Sequence, residues 1–203
     1  MTSRDFRASL AERASLRNLT IPEATVDLLT QYFALLRKWN AKINLTALPL
    51  ESLTPETCDR LFIEPLELAS WLESSPLVWF DLGSGGGSPA IPIKIARPQL
   101  RLIMVESKSR KAAFLREVVR SLNLSDAFVK AQRFQQLIAE PGILGSADLV
   151  TVRAVKIDRG LIDVSAALLR AKGRLILLGS KTVDVGSPFR RSDRSGVFER
   201  CST

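Results

Sequence analysis

From Leu77 onward, five short apolar runs, "LVWFDL", "RLIMVE", "AFVKA", "ADLVTV" and "RLILLG", alternate with segments of helix length. Near-continuous apolar runs of this length read as strands buried on both faces, and strands separated by helices imply βαβ units and a parallel sheet. Right-handed crossovers then make a doubly wound α/β domain the expected result. Before Leu77 the pattern is helical. Val26, Leu29, Phe33, Leu36, Trp39 and Ile43 recur at three- and four-residue steps, predicting one amphipathic helix from Thr20 to Lys42. Thr20 and Glu23 have capping-box spacing, with Pro22 tolerated in the first turn. "ASLAERASL" and "TPETCDRLFIEPLELASWLE" also read as helices, with Pro65 expected to kink or end the second. The chain thus divides into a helical extension, 1–75, and an α/β domain, 76–203, whose shortened C-terminus offers at most one poor strand.

Composition bounds the partners. A chain of 203 residues, 46% apolar, can bury a substantial core. Its 29 Lys and Arg against 21 Asp and Glu leave a formal charge of +8, which favours a polyanion such as nucleic acid. Two cysteines, Cys58 and Cys201, are too few for a disulfide framework or a zinc site, so no metal is expected and a reducing cytoplasm fits. The N-terminus lacks a signal-peptide core, and no apolar run approaches the ~18 residues of a membrane span. Asn44-Leu45-Thr46 matches a glycosylation sequon that has no use without secretion.

The stretch "WFDLGSGGGSPAIPI", Trp79 to Ile93, sets a strand end, a glycine cluster and a helix start in succession. That order aims backbone N–H groups at a ligand on the carboxyl edge of the sheet. A phosphate-binding Walker loop needs Lys and Ser or Thr after its last glycine, whereas Ser88 and Pro89 follow Gly87. A dinucleotide fingerprint from Gly83 has Gly85 but is only partly satisfied at Ser88. Asp81 points elsewhere: a carboxylate repels pyrophosphate but attracts a cation, and S-adenosylmethionine carries an ammonium and a sulfonium without a phosphate. Glu106, ~20 residues beyond the loop, stands where an acid accepts hydrogen bonds from ribose hydroxyls in either cofactor class. The alternative is a turn-capping Asp81 and a solvated Glu106.

Taken together, "LLRKWNAKINLTAL", "WFDLGSGGGSPAIPIKIARP", "ESKSRKAAFLREV" and "VRAV" resemble the RsmG (GidB) family, bacterial small-subunit rRNA guanine-N7 methyltransferases, from about Leu28 to Lys181. The resemblance implies a Rossmann-like, class I methyltransferase domain over 76–203, S-adenosylmethionine as cofactor, a guanine of 16S rRNA as substrate, and a cytoplasmic enzyme. Matched residue by residue, the cofactor loop falls on Gly83, Gly85 and Ser88 and the ribose-side acid on Glu106. An adenine-contacting Arg-x-Glu-Glu falls on Arg133, Phe134, Gln135 and Gln136, and the arginine after a central strand on Arg153. The chain departs from the pattern where Ser88 replaces a larger apolar residue and Gln135 and Gln136 replace glutamates. A His-x-x-Asp/Glu-Ser-like motif falls on Leu61 to Pro65: Leu61 stands in place of the histidine, Glu64 matches the acid, and Pro65 departs from the last position. "SDRSGVFERC" resembles the last of the family's two closing strands, and the strand before it is abbreviated.

The chemistry is compatible without the family. Methyl transfer to guanine N7 uses a free lone pair and needs no general base, which suits a chain without histidine. Neither cysteine follows a central strand, as a nucleophile for carbon methylation would. The turn that carries Asn/Asp-Pro-Pro-aromatic in many amino-methylating enzymes reads "TVRAV" here. Arg153 in that turn is suited to gripping the cofactor's carboxylate or to orienting guanine, and the sequence leaves both open. Asn44 is a substrate-side polar group or a turn former; Trp39 belongs to the apolar stripe. Lys108, Arg110 and Lys111, followed by Arg116 and Arg120, lie on the helix after Glu106, placed to meet RNA phosphates or solvent. Two rivals remain: a small-molecule methyltransferase of the same fold, and a non-catalytic RNA-binding or assembly protein with a vestigial cofactor site.

Overall fold

The computed structural model describes residues 1–72, 75, 77–179, 185–194 and 196–201. The first helix, α1 (Ser3–Leu16), is started by a capping box in which Thr2 accepts from the Asp5 N–H and Asp5 accepts from the Thr2 N–H. The second, α2 (Glu23–Ile43), starts three residues later than its apolar pattern predicts. Its N-cap is Pro22, with no side-chain cap, so the Thr20–Glu23 capping box does not form. Proline's fixed φ suits the helix entrance and moves the boundary past Thr20.

Pro65 neither ends nor interrupts its helix. The chain stays helical through α3 (Pro55–Cys58), a π turn (Asp59–Ile63) and α4 (Glu64–Trp71), with Pro65 in the first turn of α4. A π turn shifts the hydrogen-bond register by one residue, so proline's missing N–H coincides with the change of register.

The strands are β1 (Val78–Leu82), β2 (Arg101–Val105), β3 (Ala127–Lys130), β4 (Ala147–Arg153), β5 (Leu169–Leu178), β6 (Phe189–Arg191) and β7 (Val197–Arg200), in the order β3-β2-β1-β4-β5-β7-β6. The first five are parallel; β7 pairs antiparallel with both β5 and β6. The end of the chain therefore holds two short antiparallel strands, one more than its sequence predicts. Three residues, "FRR", are too few to carry a period-two signal.

Along β1 and β2 the side chains alternate between two cores. Trp79, Leu102 and Met104 join a cluster with Phe6, Leu29, Phe33 and Phe62 of the N-terminal helices and with Phe114 of α6 (Ser109–Ser121). Phe80, Leu82, Ile103 and Val105 join Leu161, Val164 and Leu168 of α7 (Arg159–Leu168) on the other face. The period-two pleat delivers one strand to both layers. The helices before residue 72 and α5 (Ala90–Ala96) thus cover the same sheet face. Among the described residues no helix is long and apolar enough to cross a membrane.

Candidate active site

The sheet order reverses between β2 and β4, on either side of β1, and a crevice opens there at the carboxyl ends of the strands, as expected of a doubly wound sheet. It is a cleft of about 530 Å³, lined by Leu45, Thr46, Arg60, Leu61, the loop from Gly83 to Ser88, Glu106, Lys108, Lys111 and Arg153 among others. Gly83, Gly85, Ser88, Glu106, Lys108, Lys111 and Arg153, all selected from the sequence, meet there. Asp81, Asn44, Phe134, Gln135 and Arg110 do not line it.

The glycine loop is fixed from three sides. The N–H groups of Gly83 and Ser84 both donate to the Val105 carbonyl, at 2.8 and 3.2 Å. Gly85 N–H donates to Glu106 Oε2 at 2.9 Å, and Lys108 N–H to Glu106 Oε1 at 2.7 Å. From α2, the Tyr32 hydroxyl donates to the Gly86 carbonyl at 2.6 Å. Tyr32 is fully buried, and burial pushes its phenol far above the ordinary tyrosine range, so it remains a neutral donor. Positive φ at Gly83 and close packing explain the glycine there: a Cβ would stand 2.5 Å from Val155 Cγ2. At Gly85, also at positive φ, a Cβ would meet Gly83 O at an ordinary contact distance of 3.7 Å.

Asp81 lies one layer beneath this wall. The pleat turns it to the same face as Trp79, and its register partner on β4 is Thr151. Thr151 Oγ1 donates to Asp81 Oδ1 at 2.6 Å and accepts from Trp79 Nε1 at 2.8 Å. Asp81 is 1% exposed, and burial pushes its carboxyl pKa up to about 6, against the Thr151 hydrogen bond and the charge of Arg153. The Ser84 hydroxyl in turn donates to the Asp81 carbonyl at 2.9 Å.

Arg153 ends β4 on the face covered by the N-terminal helices, and three of the five N–H donors of its guanidinium go to protein. Nη2 donates to Glu64 Oε2 at 2.6 Å, Nη1 to Ser88 Oγ at 3.3 Å and also to the Arg60 carbonyl. A two-point grip on a ligand by both terminal nitrogens would have to displace one of these bonds. The side chain is 10% exposed, and burial lowers its pKa while Glu64 supports the charged form.

Asn44 occupies the left-handed C-cap position of α2 and is exposed, so it forms the turn. Asn40 ties that turn down: its Oδ1 accepts from the N–H groups of Leu45 and Thr46 at 2.7 and 2.9 Å. Phe134 and Gln135 belong to a 3-10 turn (Phe134–Ala139) after β3, where Phe134 packs on the α7 side and Gln135 is exposed. Trp39 packs against Phe114, ring centroids 5.8 Å apart. Sequence reasoning missed Tyr32 and Arg60, and it named Glu64 only as part of a family motif, without its partner Arg153. Tyr32 had a signal: it is the chain's only tyrosine, adjacent to the apolar stripe of α2.

Comparison with known proteins gives the same assignment from outside. The profile of GidB, rRNA small subunit methyltransferase G, matches residues 25–186. The chain is 34% identical over 183 residues to the ribosomal RNA small subunit methyltransferase G of Roseiflexus sp. (strain RS-1), covering 90% of this chain and 76% of that one. Against the protein of the same name from Xanthomonas axonopodis pv. citri (strain 306) it is 38% identical over 172 residues, 84% of this chain and 76% of the relative. Solved structures share the fold: MtNAS aligns with a TM-score of 0.54 at 15% identity, over 86% of this chain and 73% of its own. The Escherichia coli protein yhhF aligns with a TM-score of 0.54 at 14% identity, over 68% of this chain and 86% of its own. The sheet order, the glycine-loop cleft and the match over most of its length converge: the chain belongs to the GidB family, rRNA small subunit methyltransferase G.

Proposed function

We propose that the protein methylates N7 of a guanine in 16S rRNA of the small ribosomal subunit, with S-adenosylmethionine as donor, in the cytoplasm. One observation carries this reading: a single cleft joins a glycine cradle and a carboxylate to a cationic mouth. The donor set fits the cofactor. Gly83 and Gly85 bring main chain to the wall, and both Glu106 oxygens retain acceptor capacity for ribose hydroxyls beyond their backbone bonds. When bound, S-adenosylmethionine supplies a methyl group on a sulfonium, an electrophile that guanine N7 attacks through its own lone pair.

The residues of this chain then bind and orient. Lys108 precedes the first turn of α6, and Arg110 and Lys111 lie in it. Cations at the positive end of a helix repel the helix dipole, an arrangement favoured only when an anion is nearby, and RNA phosphates are such anions. Arg60 adds a fourth cation from the facing wall. Arg153 acts as a fixed positive wall beside guanine or the cofactor carboxylate, and Asp81 supports the loop from below. The segment 1–75 is the substrate-side extension of the methyltransferase domain, 76–203.

Transfer of labelled methyl from S-adenosylmethionine to undermethylated small subunits and to deproteinised 16S rRNA tests the reading, with the modified atom located by the strand cleavage specific to 7-methylguanine. Label at N7 of one guanine is the expected result. Label at another atom, or transfer only to small molecules, would reject it.

A further inference from the structure

The helix from Pro55 to Trp71 changes register where proline enters it. In the π turn the Glu64 N–H donates to the Asp59 carbonyl, and the next N–H in line would be that of residue 65. Proline has none. The ladder is therefore one donor short at the level of Arg60 and Leu61, whose carbonyls a residue-65 N–H reaches in the π and α registers respectively. Both carbonyls are nonetheless bonded, from outside the helix. Ser88 Oγ donates to Leu61 O at 3.0 Å, and Arg153 Nη1 donates to Arg60 O. The two donors also meet each other, Arg153 Nη1 to Ser88 Oγ at 3.3 Å, and Arg153 Nη2 reaches Glu64, the residue before the proline, at 2.6 Å.

We infer that Pro65 is a positioning residue: by withholding an N–H it turns its own helical turn into the receptor for Ser88 and Arg153, and so fixes the guanidinium at the cleft wall. With an N–H at residue 65, Leu61 O would have a partner within the helix and Ser88 would have to compete for it, so Arg153 would lose its anchored neighbour; a desolvated guanidinium with fewer partners is costly to bury. Ser88 is the second positioning residue. Its hydroxyl donates to the helix and accepts from Arg153, so it ties the end of the glycine loop to both. This inference rests on Arg153 serving the methyl-transfer site.

Pro65→Ala and Ser88→Ala, singly and combined, test it in the full-length chain. Melting without cofactor or RNA reads the pairing alone. Ser88→Ala is expected to lower the melting temperature by about 2–4 °C with Pro65 in place and by much less beside Pro65→Ala, because the restored N–H then serves Leu61. Pro65→Ala alone is expected to keep or raise the melting temperature while lowering the single-turnover methylation rate, at saturating donor and subunit, roughly tenfold. A merely structural proline would not separate the two readouts. Equal Ser88→Ala losses in both backgrounds, a Pro65→Ala variant with the full rate, or one that fails to fold would each overturn the inference. If the unaltered protein transfers no methyl group, the proposed function fails instead, and the melting cycle alone decides the pairing.

Discussion

The two walls of the cleft are built on opposite principles. On the inner wall, at the ends of β1 and β4, four residues are held by partners from other elements: Gly85 by Glu106, Gly86 by Tyr32, Ser88 by Leu61, Arg153 by Glu64. On the outer wall, after β2, the cleft is lined by Lys108, which is exposed, and Lys111, which is half-buried, both at the start of α6. On the proposed function, the difference matches what each wall would recognise. In-line methyl transfer is lost with a misplacement of about 1 Å, so its side must be preorganised. Attraction of phosphates acts over a Debye length of about 8 Å and tolerates mobile lysines.

If that division holds, inner-wall substitutions change affinity and rate through geometry, and outer-wall substitutions act through salt. The largest effect is expected at Gly83→Ala. Its φ of +75° is unfavourable to a side chain, and the new Cβ would stand 2.5 Å from Val155. Strain of about 3 kcal/mol corresponds to roughly a hundredfold weaker S-adenosylmethionine binding, measurable by calorimetry; unchanged affinity would show that the loop can move. Next is Arg153→Lys. An ammonium cannot serve Glu64, Ser88 and the Arg60 carbonyl at once, and a loss of roughly 1.5–3 kcal/mol in transition-state stabilisation is expected in kcat/KM. Full activity would remove this residue from the site.

Asp81→Asn tests the layer beneath. Because burial pushes the Asp81 carboxyl up to about 6 from roughly 3.9 in an unfolded chain, the folded state holds this proton more tightly. Its contribution to stability is fully present below about pH 4 and is lost as pH rises through about 6. Asparagine has no proton to lose, so the variant's stability relative to the parent should increase between pH 4.5 and 7.5, by on the order of 2 kcal/mol in denaturant unfolding. A flat difference would mean that the carboxylate is stabilised when charged.

Tyr32→Phe should be milder. It keeps the ring and leaves the Gly86 carbonyl without its donor, a cost of about 1 kcal/mol expected in both cofactor affinity and melting temperature. An effect on melting alone would detach the tyrosine from the site. Smallest at low salt are Lys108→Ala and Lys111→Ala. Each should reduce the magnitude of the slope of log affinity for RNA against log salt by about 1 and leave cofactor binding unaltered. Loss of cofactor binding in either would erase the distinction between the walls.

The parts of this arrangement that were legible in the sequence are those written in contiguous residues. All five parallel strands carry their own apolar runs, and the glycine loop and Glu106 are readable from spacing on and after β1 and β2. The contacts that hold the site are not local. Nothing near Tyr32 reveals that its hydroxyl meets Gly86, and Asn44 drew attention while Asn40 makes the bonds. Pro65 reads as a helix breaker because its compensation lies in Ser88 and Arg153, remote in sequence. Asp81 reads as a ligand because strand periodicity alone does not say which face the next layer of helices will cover.

The distances along the chain carry a consequence for synthesis. The bonds that hold the inner wall join residues 27, 54 and 93 positions apart: Ser88 to Leu61, Tyr32 to Gly86, Arg153 to Arg60. A growing chain releases the N-terminal helices first, with Phe6, Leu10, Phe33 and Phe62 still lacking the sheet face that will bury them. Loop closure over such separations precedes any reward from the contacts, so the wall is a late event in folding. Until β4 has left the ribosome, no nascent form of this protein has the Arg153 wall, so the two sides of the cleft are completed at different times during synthesis.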